Sequence, residues 1–158
     1  MTAFRERLQK IGKSEVFSRM DNRTHHMNTT LKDHVFSVLS TSKKVAVFLK
    51  KRGVRINEEE LYIAALCHDL GMVDRDDKTV FKNQADLALH HGDRSLFYAR
   101  EILKDDLSER ETDSIKHHMF PIGRPPVYPE GWILSTVDKY VTIKDFILII
   151  FERLQRNP

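Results

Sequence analysis

The stretch Ala64-Ala65-Leu66-Cys67-His68-Asp69-Leu70-Gly71 decides how the rest of the chain is read. Small and apolar residues run straight into a histidine and an aspartate, and His68 stands three residues after Ala65 and four after Ala64. On a helix those spacings share one face, so the imidazole sits on the stripe that turns to a core. Upstream, Asn57 followed by Glu58, Glu59 and Glu60 supplies a cap and first-turn negative charge, which predicts a helix from there to near Gly71.

The same periodicity extends outward. Apolar residues recur at three- and four-residue spacings nearly everywhere and strict alternation is scarce, so an all-α fold is expected. A helix over about 30–52 places Leu31, Val35, Val38, Leu39, Val45, Ala46 and Leu49 on one stripe, with Gly53 as its stop. A further helix is predicted from Gln84 to Lys104, with a break admitted near Gly92. Ser108 with Glu111 forms a capping box for a short helix ending near His118. Four prolines between Pro121 and Pro129 make that segment a loop. Gly131 to Thr142 and Ile143 to Leu154 read as two helices or one bent helix, and the apolar run Phe146 to Phe151 is either core or a dimer surface.

Length and composition bound the alternatives. The 158 residues suit one compact domain spanning 1–158. The 26 Lys and Arg exceed the 23 Asp and Glu by only three, spread along the chain, which argues against nucleic-acid binding. The densest basic stretch, from Lys43 to Arg55, reads as a solvated helix face. Cys67 is the single cysteine, so a reducing cytoplasm is expected, and no apolar run has the ~20 residues needed to cross a bilayer. Near Met1 no signal-peptide core is visible.

The inward test repeats along the chain. His34 lies four residues before Val38, His91 four after Leu87, His118 three after Ile115, and Asp138 four after Leu134 and three before Val141. Five helices therefore each point a metal-ligand side chain at the core. One inward histidine is ordinarily a hydrogen-bonded core residue, but five such sites are hard to reconcile with independent accidents. A buried, unpaired aspartate costs several kcal/mol or takes up a proton, so Asp69 and Asp138 call for a cation. Imidazole and carboxylate suit a divalent ion, one or two of manganese, iron, cobalt, nickel, zinc or magnesium. Cys67, in an apolar helix, reads as a small core residue, which leaves water as the nucleophile.

In that order, His34, His68-Asp69, His91, His117-His118 and Asp138-Lys139 resemble the HD superfamily of metal-dependent phosphohydrolases over roughly residues 26 to 145. Lys116-His117-His118-Met119-Phe120-Pro121 with Pro125, Pro126 and Gly131-Trp132 is similar to a group of small bacterial HD-domain proteins without a settled substrate. The resemblance implies a helical HD-domain bundle with one metal on His34, His68, Asp69 and Asp138. It implies a second metal on His91 and His118, with His117 as an additional candidate and Asp69 as the bridging, catalytic carboxylate. His91 is preferred to His90 because its distance to Ala99 matches the family's third histidine. His26, Arg94, Arg124 and Lys139 are the candidates for substrate contact.

The expected activity is hydrolysis of a small phosphate ester, such as a nucleotide. The alternatives are a metal-binding sensor or interaction module and a di-iron oxygenase on the same cage. A homodimer through the C-terminal helix is the expected protein partner. Met72 stands where the cyclic-dinucleotide branch has Lys, and Val127-Tyr128-Pro129 lacks that branch's glycine, so cleavage of cyclic dinucleotides is a minor option. The long insertions of nucleotide triphosphohydrolases are also missing.

Overall fold

A computed structural model describes residues 2–26 and 29–156, with 24–26 and 156 described by their backbone alone. The described residues form seven α-helices: α1 (Ala3–Lys13), α2 (Glu15–Arg19), α3 (Leu31–Lys50), α4 (Glu58–Cys67), α5 (Gln84–Leu103), α6 (Glu109–His117) and α7 (Pro129–Arg156). A short antiparallel ladder, β1 (Thr24–His26) with β2 (Thr29–Thr30), leads into α3. The fold is all-α, as expected.

At the centre lies α4. Leu61, Ile63, Ala64, Ala65, Leu66 and Cys67 are all buried, because α4 packs against α1, α3, α5, α6 and α7 and has apolar residues on nearly every side. Each large side chain buried there contributes about 1.5–3 kcal/mol of transfer free energy. The alanines keep the helix narrow where its neighbours converge, just before His68.

Local chemistry sets the helix ends. Thr30 Oγ1 accepts from Asp33 N at 3.1 Å while Asp33 accepts from Thr30 N at 3.0 Å, a reciprocal cap that starts α3. Ser108 and Glu111 do the same for α6 at 3.2 and 2.9 Å, as the sequence predicts. Asn57 Oδ1 accepts from Glu60 N, and Asn57 N donates to the fully buried Glu130, whose other oxygen accepts from Arg110. These bonds anchor the start of α4 to the first turn of α7.

The structure decides several points that the sequence left open. Helix α5 runs unbroken through Gly92, and the C-terminal segment is a single 28-residue helix. The run Phe146 to Phe151 is not core: Phe146 and Phe151 are 57% and 59% exposed. Helices α1 and α2 were not anticipated; α1 fully buries Ile11 alone, and Arg7 fastens it to the buried Glu111 of α6.

Candidate metal centre

Five helices deliver six side chains to one place. His34 comes from α3, His68 and Asp69 from the end of α4, His91 from α5, His118 from the end of α6 and Asp138 from α7, and all six are buried. Five of them fall into two groups, His34-His68-Asp69 and Asp69-His91-His118, in each of which one ligand atom per residue lies within 4.8 Å of the others.

Asp69 belongs to both groups. Its Oδ2 lies 3.7 Å from His34 Nε2 and 3.5 Å from His68 Nε2, while its Oδ1 lies 3.4 Å from His91 Nε2 and 3.7 Å from His118 Nε2. Asp138 Oδ1 closes the first group, 3.0 Å from His34 Nε2 and 3.7 Å from His68 Nε2.

Neighbouring residues on an ideal helix point about 100° apart, yet His68 and Asp69 face the same centre. The reason is that α4 ends at Cys67 and Asp69 adopts φ −110°, ψ 13°, outside the helical well. A 3₁₀ turn over Leu70–Asp74 follows, held by Gly71 N donating to Ser95 Oγ at 2.8 Å. A Cβ on Gly71 would lie 2.6 Å from the carbonyl oxygen of His91, so glycine is what lets Asp69 approach α5. Gly92 acts likewise: a Cβ there would meet the Lys116 carbonyl at 2.7 Å, and its absence brings His91 beside His118.

The imidazoles are held in one tautomer. The Nδ1 atoms of His68, His91 and His118 donate to the carbonyls of Ala65, Leu87 and Ile115 at 2.8, 2.9 and 2.7 Å. A carbonyl can only accept, so in the neutral rings each Nε2 turns a lone pair to the centre. His91 Nε2 and His118 Nε2 are 2.9 Å apart, and two lone pairs at that distance repel unless a proton or a cation lies between them. Among the described residues, His68 Nε2 has no hydrogen-bond partner although it is buried. Buried acceptors facing acceptors, beside two carboxylates, form a donor set that fits divalent ions.

The charges of these buried groups shift one another. Burial opposes ionisation of Asp69, but the charges of His68 and His91 and a hydrogen bond from His91 hold its carboxyl well below the usual range. Asp138 is lowered too, burial being offset by a hydrogen bond from His34 and by the charge of His68. Burial depresses His68, yet Asp69 and Asp138 lift it to about 9. Burial and the neighbouring imidazoles push His118 down to about 3.

Other candidates are placed elsewhere. His117 belongs to neither group; its Nδ1 donates to Asp113 Oδ1 at 2.8 Å, while Asp113 Oδ2 accepts from Val127 N and Tyr128 N and so ties down the proline-rich loop. Arg94 is turned to Asp74 Oδ2 at 2.7 Å and Tyr98 Oη at 3.1 Å and does not line the cleft over the centre. Arg124 is exposed on the loop and also lies outside that cleft. The side chain of His26 lies outside the described residues.

The cleft has a volume of about 380 Å³ and is lined by Asp69, His91 and Asp138, by the cations Arg75 and Lys139, and by an apolar wall. Of the cations expected at the substrate, Lys139 lines the cleft, but its ammonium is bonded to His118 O, Ser135 O and Ser135 Oγ. Arg75 was missed, because a cation among the charged residues from Asp74 to Lys78 looks like part of an ordinary surface connector.

Residues 31–143 match the family described as HD domain, and the chain belongs to that family. No curated protein and no solved structure matches it significantly.

Proposed function

We propose that the chain is a metal-dependent phosphohydrolase acting on a small phosphate ester, with Asp69 shared between two divalent ions. The observation that carries this reading is that each oxygen of Asp69 faces its own pair of imidazole nitrogens. His34, His68 and Asp138 with one oxygen would hold the first ion; His91 and His118 with the other would hold the second. Divalent ions there supply a Lewis acid that makes water nucleophilic near neutral pH and neutralises phosphoryl oxygens.

The remaining tasks fall to the protein itself. The Nδ1 bonds keep the ligand lone pairs aimed inward without reorganisation. Met72, Met119, Ile122 and Ile143 give the cleft its apolar wall, and Arg75 faces the cleft with positive charge. Water is the nucleophile, since Cys67 is fully buried and its burial pushes the thiol up. The test is metal analysis of the full chain purified without chelator, followed by turnover of phosphomonoesters, phosphodiesters and nucleotides. One or two ions per chain with hydrolysis of at least one ester supports the reading; loaded protein that hydrolyses none refutes it.

A second reading, a metal-binding interaction module, is favoured by the second half of α7, where Ile143, Phe146, Ile147, Ile150, Phe151 and Leu154 are exposed. A second copy of the chain is the proposed occupant, which light scattering on the purified protein checks directly.

A further inference from the structure

The two cations of the cleft are not equivalent. An ammonium has three protons to donate, and those of Lys139 meet three acceptors: His118 O at 2.8 Å, Ser135 O at 3.1 Å and Ser135 Oγ at 3.0 Å. Lys139 therefore ties the backbone of His118 to α7 and is a positioning residue, with no proton left for a ligand.

Arg75 is the reverse case. Its Nε lies 3.8 Å from Asp76 Oδ2, beyond hydrogen-bond distance, and that same oxygen accepts from Arg23 at 2.6 Å. Among the described residues lining the cleft, Arg75 is the cation with donors to offer. One guanidinium fork matches the edge of one phosphate.

Thr142 apart, the rest of the rim is apolar. Met72 and Met119 are flexible thioethers that adapt to a ligand's shape, and Ile122 and Ile143 are exposed at 51% and 59% beside the opening. A volume near 380 Å³ sits at the small end of ligand pockets, which run from about 300 to 1,000 Å³. A polyphosphate chain would bring several charges to one fork and lay the others against methionine and isoleucine, where desolvation without a partner is costly.

From this asymmetry we infer that the site takes esters of a single phosphate carrying an apolar organic group. The phosphate sits between the Asp69 centre and Arg75, and the organic group lies on Met72, Met119, Ile122 and Ile143. The inference rests on the phosphohydrolase reading and narrows its substrate away from nucleoside polyphosphates and sugar phosphates.

Calorimetric titration of the metal-loaded full chain with non-hydrolysable phosphonates tests it apart from turnover. Benzylphosphonate should bind at least about tenfold more tightly than 2-hydroxyethylphosphonate, given the apolar area it buries. Arg75→Ala should weaken both by about tenfold while keeping their ratio. Ile143→Asn, or Met119→Gln if the first disturbs helicity, should collapse the ratio and leave the hydroxyethyl compound unchanged. Equal affinities, tightest binding of a methylene-bridged triphosphate analogue, no effect of Arg75→Ala, or no binding of any phosphonate would each overturn the inference. Turnover of phenyl phosphate, glycerol phosphate and a nucleoside triphosphate separates the two claims. Selective phosphonate binding without any hydrolysis sinks the enzyme reading and leaves the ligand class standing, whereas hydrolysis confined to the polar esters does the opposite.

Discussion

Asp69 and Asp74 are buried carboxylates at the two ends of one short 3₁₀ turn, and their surroundings are opposite in kind. Asp74 is met by donors: Arg19 at 3.0 Å on one oxygen, Arg94 at 2.7 Å and Tyr98 Oη at 2.6 Å on the other. Asp69 is met by imidazole nitrogens whose opposite ring atoms, in His68, His91 and His118, already spend their protons on backbone carbonyls. The first carboxylate is satisfied by the protein; the second is satisfied when something positive is added. A buried acid is thus a functional signal when its neighbours are acceptors, and a structural one when they are donors.

The largest effect should come from Asp69→Ala. Elemental analysis should find both ions lost, below about a tenth of an ion per chain, with activity gone and helical circular dichroism retained. Unchanged metal content would put Asp69 on the same footing as Asp74.

His118→Ala comes next. It removes one nitrogen from the second group alone, so roughly one ion should remain, on His34, His68, Asp69 and Asp138, while turnover falls by orders of magnitude. Loss of both ions would show that the two groups do not act separately.

Asp74→Ala should do the converse, lowering stability while metal content stays. Breaking a buried ion pair costs about 3–5 kcal/mol, and because Arg19 and Arg94 reach solvent the expected loss in urea unfolding is nearer 2 kcal/mol. Complete metal loss in this variant would erase the distinction between the two carboxylates.

Acid should separate them more gently. Proton competition for imidazole nitrogens should release the ions as pH falls. Asp74 stays ionised longer: burial opposes its charge, but Tyr98 and Arg94 hold its carboxyl below the usual range. A lowered folded-state pKa gives stability that is full above the unfolded value, about 4, and is lost as pH falls through the folded one. The stability gap between the parent chain and Asp74→Asn should therefore persist to pH about 4 and close below it; a gap already closed at pH 6 would contradict the assignment.

Much of the centre could be read without coordinates. His34, His68, His91, His118 and Asp138 each sit three or four residues from apolar partners, and helical periodicity alone turns them inward. Caps written in local residues, such as Ser108 with Glu111, were equally plain. Arg94 and Lys139 show the limit: both are cations near ligands in sequence, yet one is drawn off by Asp74 and the other is used up by His118 and Ser135. Arg75 has no periodic signal because it follows a turn whose path is set by Gly71 pressing on α5.

By itself, the sequence determined which residues turn to the core, since that depends on spacing along each helix and nothing further away. Only the tertiary structure decided that Asp69 offers one oxygen to each histidine pair, that His117 is tied to Asp113, and that Arg75 rather than Arg94 lines the cleft. Those outcomes depend on how closely α4, α5, α6 and α7 approach one another, and such distances are set by packing between segments far apart in the chain.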